Sequence, residues 1–278
     1  MINYYLLTKP GIIMGNLITL SAGFLLASQG EVYFSLFFLT LLGLSLVMAS
    51  ACAFNNYIDR GLDKKMERTK NRALAVGAIS LQRALLFATM LGIIGAVVLF
   101  AYTNLLTLFI ALIGFFVYVV LYSMWKARTI YGTAIGSIAG SVPPIVGYCA
   151  VSNRLDLGAL LLFLLLVFWQ MPHFFSIALN RLDDYIAASV PVLPVLKGSR
   201  RTKIHMLFYI VCFTLIAVLL TAFHYTGKLF LIIALLLGSS WLVLCLKGLR
   251  RDTDPLWAKK MFRLSLVVIT ILSSIIWI

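Results

Sequence analysis

The chain has 278 residues, 62% hydrophobic and only 12% charged, against about a quarter charged in an ordinary soluble domain. Apolar runs long enough to cross a bilayer recur from end to end, which excludes a multi-domain soluble protein. The net charge of +14 sits in short polar stretches between those runs; the Lys/Arg bias of cytoplasmic loops accounts for most of it, so no nucleic-acid partner is expected.

The apolar pattern predicts nine helices, at about 11–28, 33–56, 84–101, 105–124, 131–150, 157–180, 205–224, 229–246 and 262–278. The fold class is therefore all-α, a polytopic membrane helix bundle of nine transmembrane helices, and residues 1–278 form one integral-membrane domain embedded in the lipid bilayer. The first apolar segment ends in Ser28-Gln29-Gly30, without a clear small-x-small cleavage site, and reads as a retained span rather than a signal peptide. Cys52, Cys149, Cys212 and Cys245 lie scattered in apolar runs with no CxxC pair, so neither a zinc site nor a disulfide framework is expected.

Assigning loops to alternate sides places all but two of the 23 Lys and Arg residues on one face; only Arg154 and Lys228 fall on the other. This asymmetry predicts a cytoplasmic N-terminus and a C-terminus on the outer face. It also puts the long polar loops after the second and sixth spans on the same side.

In chain order, the polar residues inside or beside spans begin with Asn16, early in the first helix and a candidate pocket residue. The second span then gives way to the polar stretch NNYIDRGLDKKMERTKNRALAVG, residues 55–77. Asn55, Asp59 and Asp63 recur there at four-residue steps, so on a helix they share one face. One amide oxygen and two carboxylates are hard ligands suited to Mg²⁺, an ion that also binds phosphates. Lys64, Arg68, Lys70 and Arg72 follow and are candidate phosphate ligands.

His173, in Trp169-Gln170-Met171-Pro172-His173, is an intramembrane histidine about 16 Å along a regular helix from Asp184, and so a functional candidate as a haem ligand or a base. At the end of the sixth span Asn180 and Asp184 repeat the four-residue step beside Asp183. Arg181 and Lys197 supply further cations. Two acidic clusters opposed at one membrane face would clamp a diphosphate through metal ions and favour ionisation of its carbon–oxygen bond. Asp59, Asp63 and Asp184 are the candidate catalytic residues. Asn55, Asp59, Asp63, Asn180, Asp183 and Asp184 are the candidate metal ligands.

The pattern Asn55-x3-Asp59-x3-Asp63-x4-Arg68-Thr69-x2-Arg72-x4-Gly77 resembles the signature of UbiA-type intramembrane prenyltransferases. Thr8-Lys9-Pro10-Gly11, Phe54-Asn55-Asn56-Tyr57-Ile58-Asp59, Trp169-Gln170-Met171-Pro172-His173 and Pro191-Val192-Leu193-Pro194 resemble the haem O synthase branch of that family, over nearly the whole length. The resemblance implies a nine-span bundle around a cytoplasm-facing cavity in a bacterial inner membrane, with a periplasmic C-terminus. It implies Mg²⁺ as cofactor, farnesyl diphosphate and haem B as substrates, and contact with haem-handling or terminal oxidase proteins. The second acidic motif departs from the family's usual aspartate at both ends of the step, since its first position is Asn180. Two rival readings fit the same residues: prenyl transfer to an aromatic quinone precursor and, more distantly, an ion-coupled transporter.

Overall fold

The computed structural model describes residues 2–249 and 255–278, and every regular element among them is helical. A short helix α1 (Ile2–Leu7) precedes the first span, α2 (Pro10–Ser28), and was not expected from the apolar pattern. Then follow α3 (Phe34–Asp63), α4 (Leu81–Tyr102) and α5 (Leu105–Phe116). A π-helical segment, Val117–Tyr122, and the short α6 (Ser123–Trp125) complete the fourth span. The fifth is broken into α7 (Gly132–Gly140) and α8 (Val142–Ser152). The rest comprises α9 (Leu157–Asn180), the short α10 (Leu182–Ala187), α11 (Leu193–Ala222), α12 (Lys228–Leu249) and α13 (Pro255–Ile275).

Among the described residues, eight helical segments are long and apolar enough to cross a membrane. The ninth expected span forms as α13, a helix of 21 residues, but its first half carries Lys259, Lys260 and Arg263, so it falls short of the others in apolarity. Arg250 and Arg251, placed on the basic side by the charge pattern, lie outside the described residues.

Local signals set several ends. Asn104, Asp156 and Ser80 accept the backbone N–H of Thr107 (2.9 Å), Ala159 (3.1 Å) and Arg83 (3.4 Å), capping α5, α9 and α4. Lipid tails offer helices no hydrophobic driving force toward one another, so association depends on close packing. The helix pair α2 and α8 shows how close. A methyl group built on Gly147 would sit 2.2 Å from the Leu20 carbonyl oxygen, and one on Gly23 would sit 2.0 Å from that of Pro144. The α7–α8 segment has 67% of its apolar window buried, against 22% for α4, which makes it the central span. Around it α3 packs on α4, α9 lies against α11 and α13, and α12 closes the ring between α11 and α13.

Candidate active site

The helix α3 continues seven residues beyond the expected end at 56, so one helix carries Asp59 and Asp63 as well as Asn55. All three are buried, at 2%, 7% and 5% exposure. Buried carboxylates need positive partners, and each has one. Lys126 pairs with Asp59 Oδ2. Arg72 Nη1 donates to both oxygens of Asp63, at 2.8 and 2.9 Å. Lys9 Nζ donates to Asn55 Oδ1 at 2.6 Å, while Asn55 Nδ2 donates to Ser123 Oγ at 3.0 Å.

These partners arrive from three directions. Arg72 returns through the loop after α3, where the Thr69 hydroxyl, itself buried, donates to the Asp63 carbonyl at 3.0 Å. Lys126 and Ser123 follow the π-helical segment, whose wider turn re-aims the residues after it. Tyr118 and Tyr122 stack there with centroids 5.5 Å apart, and the Lys126 ammonium lies 5.1 Å over the Tyr122 ring. Lys9 stands at the corner before α2 with φ 53° and ψ 62°. A left-handed conformation in a non-glycine residue costs about 1–3 kcal/mol, and the following proline disfavours it further. Burial pushes the Lys9 ammonium down to about 8; Arg72 and Lys126 add to this, against the opposing pull of Cys52 and Asp59.

The second acidic motif meets the loop that follows the first. Helix α9 ends at Asn180, Arg181 leaves helical geometry (φ −123°, ψ 33°), and α10 starts the chain in a new direction. Asp184 Oδ1 then accepts the backbone N–H of Glu67 at 3.1 Å. Met66, Ala188 and Val190 are buried together beneath this bond, with Leu62, Tyr185 and Val192 around them. The Tyr185 hydroxyl is pushed up to about 12, first by burial and then by Tyr122 and Asp184, with Arg68 opposing.

The structure therefore gathers Asn55, Asp59, Asp63 and Arg72, and ties Asp184 to Glu67 in the loop that follows α3. Other expected residues lie at the margin. Arg68, Arg181, Asp183 and Lys197 are exposed, and Asn180 is half-buried. Lys64 lines, with Arg60, a separate cleft of about 420 Å³ against residues 74–81. Asn16 Nδ2 bonds to the Ile12 carbonyl of its own helix at 2.8 Å. His173 is buried between the rings of Trp169 (4.8 Å) and Phe262 (5.0 Å). Its Nδ1 lies 2.7 Å from Ser265 Oγ, whose hydroxyl donates to the Phe262 carbonyl at 2.6 Å. Nδ1 therefore carries the hydrogen and Nε2 keeps its lone pair. Lys126 and Ser123 were missed in the sequence, and Lys9 stood there only within the Thr8-Lys9-Pro10-Gly11 resemblance, without a role. Nothing local marks their long-range partners.

The donor set suits a divalent ion, because Asn55, Asp59 and Asp63 offer hard oxygens from one helix face in a buried setting that already attracts cations. Among the described residues, no three His, Cys, Asp or Glu side chains are gathered into one ligand cluster. The reason is visible in the contacts: Asp59 and Asp63 turn toward their own cations, and Asp184 toward a backbone N–H.

Residues 16–267 match the UbiA prenyltransferase family. The chain belongs to that family. It is 61% identical over 274 residues to the protoheme IX farnesyltransferase of Protochlamydia amoebophila (strain UWE25), covering 98% of this chain and 97% of the relative. Against the protein of the same name from Yersinia pseudotuberculosis serotype O:1b (strain IP 31758) the identity is 49% over 275 residues, covering 98% and 93%. Among solved structures, a digeranylgeranylglyceryl phosphate synthase superposes with a TM-score of 0.81 at 19% identity, covering 99% of this chain and 96% of that one. A UbiA homologue from Archaeoglobus fulgidus bound to GPP and Mg²⁺ gives 0.69 at 15% identity, covering 99% and 100%. At these identities the structural likenesses show the UbiA fold alone.

Proposed function

We propose that this UbiA-family chain transfers a farnesyl group from farnesyl diphosphate to a vinyl group of haem B, giving haem O, with Mg²⁺ as cofactor. The observation that carries the reading is the meeting of two acid-bearing loops, Asp184 against Glu67, beside the buried face of Asn55, Asp59 and Asp63. The protoheme IX farnesyltransferases, at up to 61% identity over almost the full length, support the choice of substrates. The charge asymmetry supports a cytoplasmic site in a bacterial inner membrane, with the N-terminus inside and the C-terminus in the periplasm.

The ion would be held by Asn55, Asp59, Asp63 and Asp184, with Asn180 and Asp183 as the outer candidates. When bound, it supplies charge neutralisation of the diphosphate leaving group. The chain's own groups do the rest. Arg72 and Lys126 already face the carboxylates and would pass to phosphate oxygens when the diphosphate arrives, with the exposed Arg68, Arg181 and Lys197 as candidates for its approach from solvent, while Lys64 stands in a separate cleft. The carbon–oxygen bond of farnesyl diphosphate breaks and pyrophosphate leaves. A haem vinyl carbon bonds to the farnesyl carbon released, and water adds its hydroxyl to the other vinyl carbon with loss of a proton. The apolar walls of the bundle keep water from the first cation. His173 belongs to the haem side of this reading, its Nε2 lone pair being free of Ser265.

The test is mass spectrometry of haem extracted after incubation with farnesyl diphosphate and Mg²⁺. A hydroxyethylfarnesyl adduct is expected, and none in EDTA. An adduct on an aromatic quinone precursor, with haem unchanged, overturns the reading.

A further inference from the structure

We propose that Lys9 is a phosphate-binding residue of this site, supplied by the corner between α1 and α2 and positioned by Asn56. The inference rests on the diphosphate reading above and adds a third inner cation to it. Lys126 and Arg72 each face a carboxylate, so each forms a charge-balanced pair. Lys9 does not: its hydrogen-bond partner is the neutral amide oxygen of Asn55. Its ammonium thus brings into a site walled by α3 a positive charge with no ion-pair partner of its own, Asp59 already being paired with Lys126. A half-buried ammonium without a paired carboxylate gains from an anion that comes to it. The N-terminus of α2, whose dipole also favours an anion, begins at the next residue.

The corner is built to hold that lysine. Asn55 is fixed through Nδ2 by Ser123, which leaves Oδ1 facing Lys9. The adjacent Asn56, buried, donates from Nδ2 to the Leu7 carbonyl at 2.8 Å and to the Cys52 carbonyl at 3.2 Å, tying the Leu7–Thr8–Lys9 backbone to α3. The paired asparagines so grip the same corner by side chain and by main chain. Lys9 keeps a left-handed backbone directly before Pro10, a doubly disfavoured conformation that persists only where its surroundings over-determine it. A diphosphate lying along α3 would meet Lys9 at the Asn55 end of the face and Arg72 at the Asp63 end.

The probe is inorganic pyrophosphate with Mn²⁺, its binding to the purified full chain in detergent followed by the EPR signal of free Mn²⁺. Lys9→Gln keeps a donor for Asn55 but loses the charge, and pyrophosphate binding should weaken about tenfold or more, the scale of one charge-assisted hydrogen bond. Lys9→Arg should stay within about threefold of wild type. Asn56→Ala should weaken binding less, with no further loss when combined with Lys9→Gln; additive losses overturn its positioning role. Asp59→Asn tests the underlying reading, and should abolish Mn²⁺-dependent pyrophosphate binding. If Asp59→Asn loses binding while Lys9→Gln and wild type agree, Lys9 is no phosphate ligand and the reading stands. If Asp59→Asn binds as wild type does, the underlying reading itself fails. A Lys9→Gln protein that does not fold passes the decision to Lys9→Arg and Asn56→Ala, and wild-type affinity in Asn56→Ala then counts against the proposal.

Discussion

Asp184 Oδ1 accepts the main-chain N–H of Glu67 at 3.1 Å, joining loops 117 residues apart in the chain. A backbone N–H is a fixed donor, so the bond holds the acid over the end of α3 whatever the surrounding cations do. It also leaves Oδ2 of Asp184 for a further partner.

Two substitutions at Asp184 separate its roles. Asp184→Asn retains an oxygen acceptor for Glu67 and loses the charge; Asp184→Ala loses both. If the acid serves the metal and diphosphate, both variants should lose about 100-fold or more in turnover, on the scale of removing one preorganised electrostatic group. If it serves only to dock the loops, Asp184→Asn should keep most of its activity. Rates of haem adduct formation at saturating substrates decide between them.

The Lys126–Asp59 pair is buried, with side chains 14% and 8% exposed. Removing one partner strands a charge, which costs about 3–5 kcal/mol, while replacing both by neutral groups is often close to neutral. Lys126→Met should therefore lower the unfolding midpoint, and adding Asp59→Asn should bring most of it back. Activity should not return with stability, because the metal-binding acid is then gone. Thermal unfolding in detergent alongside turnover checks both halves. Recovery of activity in the double variant would falsify the assignment of Asp59.

Much of this site is legible in sequence, for a definite reason. Asn55, Asp59 and Asp63 obey helix periodicity, and a helix face is a local property. Their burial, and the continuation of α3 past 56, were not legible, because a stretch carrying Asn55, Asn56, Asp59, Arg60 and Asp63 looks like a loop until Lys9, Lys126 and Arg72 arrive to compensate it. Those partners are 46, 67 and 9 residues away, and long-range pairing leaves no mark in a single sequence. The same limit applies to Asn16 and Lys197. Both are polar at plausible places, yet one bonds to its own helix and the other is exposed. The expected count of nine spans rested on apolarity and on the Lys/Arg asymmetry between loops, and α13 mixes three cations into its first half.

His173 is held by Ser265 through Nδ1, and its ring stacks on Trp169 with Phe262 tilted against it at 5.0 Å. This fixes the direction of Nε2. His173→Ala should weaken haem binding by about tenfold or more and leave pyrophosphate binding untouched, since Asn55, Asp59 and Asp63 lie on α3 and Asp184 on α10. Ser265→Ala should weaken haem binding less, through loss of orientation. The Soret band during haem titration reports both. Equal haem affinity in wild type and His173→Ala would remove the histidine from the haem side.

The last expectation concerns the scaffold under the site. Helices α2 and α8 approach so closely that a methyl group on Gly147 would lie 2.2 Å from the Leu20 carbonyl oxygen and 2.9 Å from the Phe24 nitrogen. Both are backbone atoms, so the clash cannot be relieved by turning a side chain. Gly147→Ala must push the two helices apart, at a cost at or above the top of the ~1–3 kcal/mol range for overpacked cores. Gly15→Ala, on α2, is the matched control, since nothing lies within 4 Å of its new methyl group. There the lower helix propensity of glycine is all that changes, and the variant should be more stable by about 0.5–1 kcal/mol. Because α2 begins at the corner that carries Lys9, Gly147→Ala should also weaken pyrophosphate binding, while Gly15→Ala should not. Unfolding midpoints and pyrophosphate titrations on the two proteins test the link between helix packing and the site. Two variants of equal stability would show that α2 and α8 are not held in the close contact from which it is argued.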